Sequence, residues 1–279
     1  MLEQFDIVIG NPPYSMGQKS ENDGAANIEY PNLDSSISKT YGAASTATRL
    51  APLYDSYIRA FRWASERIGD SGVIGFVTNA GWVDGNATDG LRKCLVEEFS
   101  KIYVFHLRGN QRTSGELSRK EGGKIFGSGS RAPIAITVLV KNKNSTEQGK
   151  IYFHDIGDYL DQKQKLGTIS SYGSISGIEA EEKFSIITPD ENNDWINQTD
   201  RTFNKFTIVS NRDQKSNVFA LNSSGIVTSR DAWCYNFSTT KLKKNIQKTI
   251  QFFNDEVNRL GDIEGIETLK KKINNDPKK

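Results

Sequence analysis

Four short apolar runs constrain this chain more than anything else in it: Phe5-Asp6-Ile7-Val8-Ile9, Gly72 to Thr78 (GVIGFVT), Lys101 to Leu107 (KIYVFHL) and Pro133 to Lys141 (PIAITVLVK). Each has the length of a strand, and near-continuous apolar strands belong to parallel sheets covered by helices on both faces. The segment from residue 5 to 9 is therefore expected to be fully buried. Between the first two runs, Tyr54 to Ile68 places Tyr57, Ile58, Phe61, Ala64 and Ile68 at helical spacing, and Gly69-Asp70 ends the helix. Gly90 to Phe99 is a second helical segment, between the second and third runs. The fourth run follows the third across a basic stretch with no long helix between them. Strand, helix, strand, helix, strand and a strand reached by a loop describe the second half of a doubly wound α/β sheet with a final antiparallel strand.

The first run stops at Gly10 and delivers Asn11-Pro12-Pro13-Tyr14. Proline fixes φ and carries no N–H, so Pro12 and Pro13 hold a rigid, extended turn whose carbonyls have no competing donor nearby. Such a ledge suits the methylation of a planar amine. The lone pair of an exocyclic amine is delocalised into its ring. Two acceptors, the Asn11 side-chain oxygen and the Pro12 carbonyl, can bind both amine hydrogens and favour the pyramidal form that attacks a methyl group. Tyr14 offers a face for the base, a contact worth about 1–3 kcal/mol per stacked base. A base in a duplex must leave the stack to reach such a ledge. Phe126 and Trp82 are candidates for a second aromatic face. From Ser15 to about Pro52 the chain is rich in Ser, Asn, Gly, Ala and Thr with weak periodicity, and is expected to be a long functional loop.

With 36% hydrophobic and 25% charged residues among 279, the chain has the composition of a folded protein with a sizeable core. Its net charge of +2 gives no general attraction to polyanions, so a nucleic-acid surface has to come from local clustering. Arg108, Arg112, Arg119, Lys120, Lys124 and Arg131 stand against Glu116 and Glu121 in one stretch, which in this fold emerges beside the ledge. Cys94 and Cys234 lack CxxC spacing and are expected to be reduced, buried thiols of a cytoplasmic protein. His106 and His154 have no companions at ligand spacing, so no metal is expected. No apolar run approaches the roughly 20 residues of a membrane span, and Met1-Leu2-Glu3-Gln4 does not open a signal peptide.

The strand with NPPY resembles the catalytic motif of amino-methyltransferases that use S-adenosylmethionine, specifically the adenine-specific DNA methyltransferases of restriction-modification systems. GVIGFVTNAGW, IYVFHLRGN and the segment Ile125 to Lys141 (IFGSGSRAPIAITVLVK) are similar to later motifs of that family, in its order. The last is similar to the large single-chain enzymes that fuse a methyltransferase to a helicase. The resemblance covers residues 5 to about 142. It implies that Asn11, Pro12, Pro13 and Tyr14 are catalytic and that S-adenosylmethionine donates the methyl group. The partner is double-stranded DNA with a flipped adenine, and a nuclease or helicase on the same full-length chain is compatible with it. The family's glycine-containing cofactor loop belongs upstream of NPPY, where this sequence has only ten residues, and Gly127-Ser128-Gly129 opens no helix. The cofactor motif is therefore not expected in this chain, which reads as the C-terminal portion of a longer enzyme.

The expected organisation is a catalytic half over residues 1–149 and a linker with the beginning of a mixed α+β target-recognition region over 150–279. Gly225 to Trp233 (GIVTSRDAW) resembles a sequence of that region in the large restriction-modification enzymes, where Arg230-Asp231 would orient the protein on DNA. The DNA-binding candidates are thus Arg108, Arg112, Lys124, Arg131 and Arg230. Trp195, Phe203, Phe206, Ile208 and Val209 are expected to be partly buried. Lys241 to Leu260 is expected to be a helix and Lys270 to Lys272, with Lys278 and Lys279, a solvated tail. Protein-glutamine or RNA methylation is the alternative within the same chemistry, and a non-catalytic DNA-binding remnant the alternative outside it.

Overall fold

The computed structural model describes residues 4–14, 30–127, 130–198, 202, 205–210, 217–219, 225, 227, 228 and 231–260. They fall into two compact units, 1–200 and 201–279.

The first unit is built on one mixed sheet. Its strands are β1 (Phe5–Gly10), β2 (Ile68–Asn79), β3 (Lys101–Arg108), β4 (Ile134–Asn142), β5 (Lys150–Asp155) and β6 (Ser185–Ile187), in the spatial order β1-β2-β4-β3-β5-β6. β1 and β2 are parallel, as are β3 and β5, while β4 runs antiparallel between β2 and β3. The α/β reading and the antiparallel final strand of the sequence pattern are both present. The sheet then continues into β5, which shares register with β3 from Lys101↔Lys150 to His106↔Asp155.

The pleat sorts the side chains by face. Val8, Ile74, Leu139 and Ile102 lie across one row of the register and enter the main core with helices α1 (Pro31–Ile37), α2 (Ser56–Arg67) and α3 (Asp89–Glu98). Phe105 and Leu107 point the other way, into a smaller core with Ile134, Ile156 and Ile178. Ile178 belongs to α6 (Ile175–Ala180), which follows α5 (Gln162–Tyr172).

Three expectations change here. β1 is not fully buried: Ile7 and Ile9 are 63% and 81% exposed. Among the described residues it pairs with β2 alone, and the small core lies toward β3 and β5 and leaves the row of Ile9 bare. The segment after the ledge is also not a loop throughout. Leu33, Ile37 and Tyr41, spaced by four, place one face of α1 and the π-helical turn Ser38–Gly42 that continues it against the core. Polar and small residues between them conceal that period in the sequence. Finally, Phe206 and Val209 are exposed, whereas Ile208 is half-buried and Trp195 is buried. Phe203 lies outside the described residues.

Helix α4 (Gly115–Glu121) caps the loop after β3. In the second unit, α7 (Asp231–Cys234) precedes α8 (Thr239–Leu260), and the Trp233 indole N–H donates to the Asn245 carbonyl (3.1 Å) and the Thr249 hydroxyl (2.8 Å). The basic tail lies outside the described residues. No helix among the described residues is long and apolar enough to cross a membrane. Cys94 is buried and Cys234 only half-buried, and both are free thiols.

Candidate active site

β1 ends at Gly10, level with Phe76 of the parallel strand β2, which runs on to Asn79, and β4 begins opposite Asn79 at Ile134. Loops that leave these ends enclose a cleft of about 1150 Å³. A crevice at the carboxyl ends of parallel strands is the usual ligand position in open α/β sheets.

Tyr14 enters the cleft from the ledge. Its ring meets that of Tyr57 edge-on, with centroids 6.1 Å apart at 89°, so it is held at a fixed angle. Its hydroxyl is buried without a hydrogen-bond partner among the described residues. Burial pushes the Tyr14 pKa up, so the phenol stays protonated at neutral pH. Asn11 and Pro13 are exposed and Pro12 is half-buried. A Cβ on Gly10 would stand 3.3 Å from the Phe76 ring, so the strand reaches the ledge in close contact with β2.

The opposite lining comes from the segment after β2. The Asn79 side chain accepts from the Gly81 N–H at 2.9 Å and turns the chain sharply. The Thr88 hydroxyl donates to the carbonyls of Trp82 (2.9 Å) and Gly85 (2.8 Å). Arg92 locks this turn from within the protein. Its guanidinium is fully buried and donates to the carbonyls of Trp82, Gly85 and Asn193 at 3.1, 2.8 and 2.7 Å, and to the Asp194 carboxylate at 2.7 Å. Burial lowers its pKa, and Asp194 opposes that shift. Trp195, next in sequence, packs edge-on against Trp82 at 5.3 Å. Trp82 is thereby a core residue between Phe61 and Trp195, not a second face for a base. Phe126 packs on the smaller core. The aromatic neighbour of Tyr14 is Tyr57.

Asp89, 4% exposed at the start of α3, fastens a further part of the rim. Its carboxylate accepts from the hydroxyl of Ser45, the N–H and hydroxyl of Thr46 (2.7 and 2.9 Å) and the N–H of Gly90 (2.8 Å). Burial raises its pKa, but these donors outweigh burial and hold it below the usual aspartate value. Gly90 allows the approach: a Cβ there would sit 2.0 Å from the Tyr41 carbonyl oxygen.

Of the basic candidates, Arg112 and Arg131 line the cleft beside Tyr14. Arg131 donates to the Gln111 carbonyl at 3.2 Å, and Gln111 N–H returns a bond to the Arg131 carbonyl at 3.0 Å. Arg108 does not line it. Its guanidinium pairs with Asp155 at 2.7 Å and with Asp158, and these carboxylates outweigh burial to raise its pKa. Its backbone adopts φ 55°, the left-handed region, at the exit of β3. Lys124 is half-buried and outside the cleft. Arg230 lies outside the described residues.

The loop between β3 and β4 is clamped from below by α5. Lys165, with no exposed surface, donates through Nζ to the carbonyls of Glu121 (2.7 Å) and Gly123 (2.8 Å). The Gln162 amide donates to the Ile125 carbonyl at 2.7 Å. Arg92, Asp89 and Lys165 carried no recognisable motif. Apart from local neighbours of Arg92 and Asp89, their partners lie 42 or more residues away.

S-adenosylmethionine has no fitting cradle among the described residues. Glycines where backbone closes tightly serve internal packing: Gly85 against the Gly81 carbonyl, Gly90 against Tyr41, and Gly122 against Leu160. Gly81 and Gly85 lie between β2 and α3 and line the cleft, but the backbone there closes on itself, a Cβ at Gly85 standing 2.5 Å from the Gly81 carbonyl oxygen. No group of three or more His, Cys, Asp or Glu side chains among the described residues is arranged to hold a metal ion.

Comparison with known proteins gives the site its family. Residues 2–112 match the Eco57I restriction-modification methylase model, and residues 217–279 match the Type ISP C-terminal specificity domain. A nuclease-deletion mutant of the Type ISP restriction-modification enzyme LlaGI, solved with a DNA substrate mimic, is 48% identical over 96% of this chain, with a TM-score of 0.79. The ATP-dependent Type ISP enzyme LlaBIII bound to DNA is 39% identical over 90%, with a TM-score of 0.78. DrdV in its DNA complex is 32% identical over 96%, with a TM-score of 0.75. This chain spans 21%, 16% and 26% of those chains, respectively. No curated protein matches it. A methylase segment followed by a specificity segment, on a fold shared almost end to end with these enzymes, places the chain in the Type ISP restriction-modification family.

Proposed function

We propose that this chain is the base-binding portion of a site-specific DNA adenine methyltransferase of a restriction-modification system, together with part of its target-recognition region. The observation that carries this reading is the convergence of Tyr14, Arg112 and Arg131 on one cleft at the carboxyl ends of β1 and β2. The ledge before Tyr14 supplies the two acceptors that an exocyclic amine needs. Asn11 Oδ1 and the Pro12 carbonyl take the two amine hydrogens, and the Tyr14 ring, angled by Tyr57, stacks on the base. Once the amine is methylated its proton is acidic and needs no dedicated base. Tyr14, with its raised pKa, does not act as one.

The methyl donor proposed is S-adenosylmethionine, held by residues other than those described. The substrate is double-stranded DNA with one adenine turned out. One relative solved with a DNA substrate mimic after deletion of its nuclease, and one that is ATP-dependent, support further nuclease and helicase regions in the intact enzyme. We place the change from methylation to target recognition near residue 200, because β5 and β6 extend the catalytic sheet beyond residue 149 and the specificity match begins at residue 217. A cytoplasmic location accords with this role. The test is methyl incorporation into DNA by the intact enzyme: Asn11→Ala should lose nearly all turnover, and unchanged turnover would remove the ledge from the mechanism.

A further inference from the structure

The arginines of the first unit divide into two groups. Arg59, Arg62, Arg92, Arg108 and Arg119 each hold a carboxylate. Arg67 stands over the Trp63 ring at 5.1 Å. Arg49, Arg112 and Arg131 have no carboxylate within ion-pairing distance among the described residues, and all three line the cleft that Tyr14 enters. Among the described residues, Asp55 is the one acidic side chain in that lining. Guanidiniums free of carboxylates, one on the segment before Pro52 and two on the β3–β4 loop, around a cleft much larger than one base, are a set of binding points for a polyanion.

Arg49 is the member that no motif announces. It is exposed on the segment that leads from the π-helical turn to Pro52, and this segment is fastened to the core. Asp89 takes both Thr46 donors and the Ser45 hydroxyl, and Gly90 lets α3 lie against the Tyr41 carbonyl. Contacts within the chain itself thus fix the arm, which reduces the ordering charged against binding.

We propose that Arg49 forms, with Arg112 and Arg131, a phosphodiester clamp on the DNA strand that flanks the nucleotide on the Asn11-Pro12-Pro13-Tyr14 ledge, and that Asp89 is the positioning residue for the Arg49 arm. The clamp rests on the reading of the chain as part of a DNA methyltransferase. Its occupant is the sugar-phosphate backbone: the three cations match phosphates whatever the base sequence, whereas recognition of the target is left to base contacts.

Binding of the intact enzyme to a duplex with a mispaired adenine, measured against salt concentration, tests it. Each lost phosphate contact lowers the slope of log K against log salt by about 0.9 on duplex DNA and about 0.7 on single strands. Arg49→Ala should lower it by one such step, and Arg49→Lys should restore most of it. Asp89→Asn removes a negative charge, so simple electrostatics expects tighter binding; the clamp expects weaker binding with the slope of Arg49→Ala. An unchanged slope in Arg49→Ala overturns the clamp, and tighter binding by Asp89→Asn overturns the role of Asp89. Arg49 is exposed, so its variants decide the matter even if Asp89→Asn is unstable. If Arg112→Ala lowers the slope and Arg49→Ala does not, the methyltransferase reading stands and the clamp fails. If the unsubstituted enzyme does not bind the duplex, both fall.

Discussion

At the scale of single residues, Tyr14 separates what a ring does from what a hydroxyl does. Its hydroxyl is buried with no partner among the described residues, while its ring is set edge-on to Tyr57 inside the cleft. Tyr14→Phe should therefore keep methylation within a few-fold of the unsubstituted enzyme. Tyr14→Ala should weaken binding of the flipped base by the stacking energy, about 1–3 kcal/mol. Kinetics on a single DNA substrate check both, and an equal loss in the two variants would contradict the stacking role. Arg92 is a different case, because it never meets the substrate. Its guanidinium is fully buried and its partner Asp194 has 13% side-chain exposure. Arg92→Ala leaves that carboxylate and three carbonyls short of a donor, and breaking a buried pair in this way costs about 3–5 kcal/mol. Denaturant unfolding should show a loss of that order, with the cleft opening as the 82–88 turn is released. The ledge could be proposed from the sequence because the chemistry assigned to it sits in four adjacent residues. Arg92 was not, because the residues that give it meaning are about a hundred positions away.

At the scale of elements, the strands show what hydrophobic pattern reveals and what it omits. Each of the four apolar runs is a strand, and both helical segments between them are helices. The pattern did not show that β1 pairs on one side alone among the described residues, since an apolar run reports only the wish for cover and not its neighbours. It also missed α1 and the turn that continues it, whose Leu33-Ile37-Tyr41 stripe is one residue wide in a polar segment. The clamp of α5 on the β3–β4 loop gives a pH-dependent prediction. Burial lowers the Lys165 pKa to about 8, with Glu121 and Asp155 opposing the shift and Arg108 adding to it. The unfolded lysine titrates near 10.5, so between about pH 8 and 10.5 the unfolded state binds more protons than the folded one. Lys165 thus opposes folding most below pH 8, and stability rises with pH across that window. Lys165→Met should abolish this rise while costing the two bonds to Glu121 and Gly123 at all pH values. Melting curves from pH 7 to 11 check it, and an identical rise in the variant would assign the effect to another group.

At the scale of the whole molecule, charge is organised rather than abundant. A net charge of +2 conceals a cleft with three arginines free of carboxylates among the described residues, while arginines elsewhere in the first unit are paired or stacked. Local density in the sequence pointed to the 108–131 stretch. It counted Arg108, which Asp155 and Asp158 neutralise, and passed over Arg49, which stands alone in sequence but shares the cleft. The chain's place in the Type ISP family sets a methylase segment and a specificity segment on one chain. The central claim is that the Asn11-Pro12-Pro13-Tyr14 ledge presents the amine of a flipped adenine for methylation. Nucleoside analysis of DNA methylated by the intact enzyme and by its Asn11→Ala variant tests it most directly. The account predicts N6-methyladenine from the unsubstituted enzyme and almost none from the variant; methylated cytosine, or undiminished methyladenine from Asn11→Ala, would contradict it.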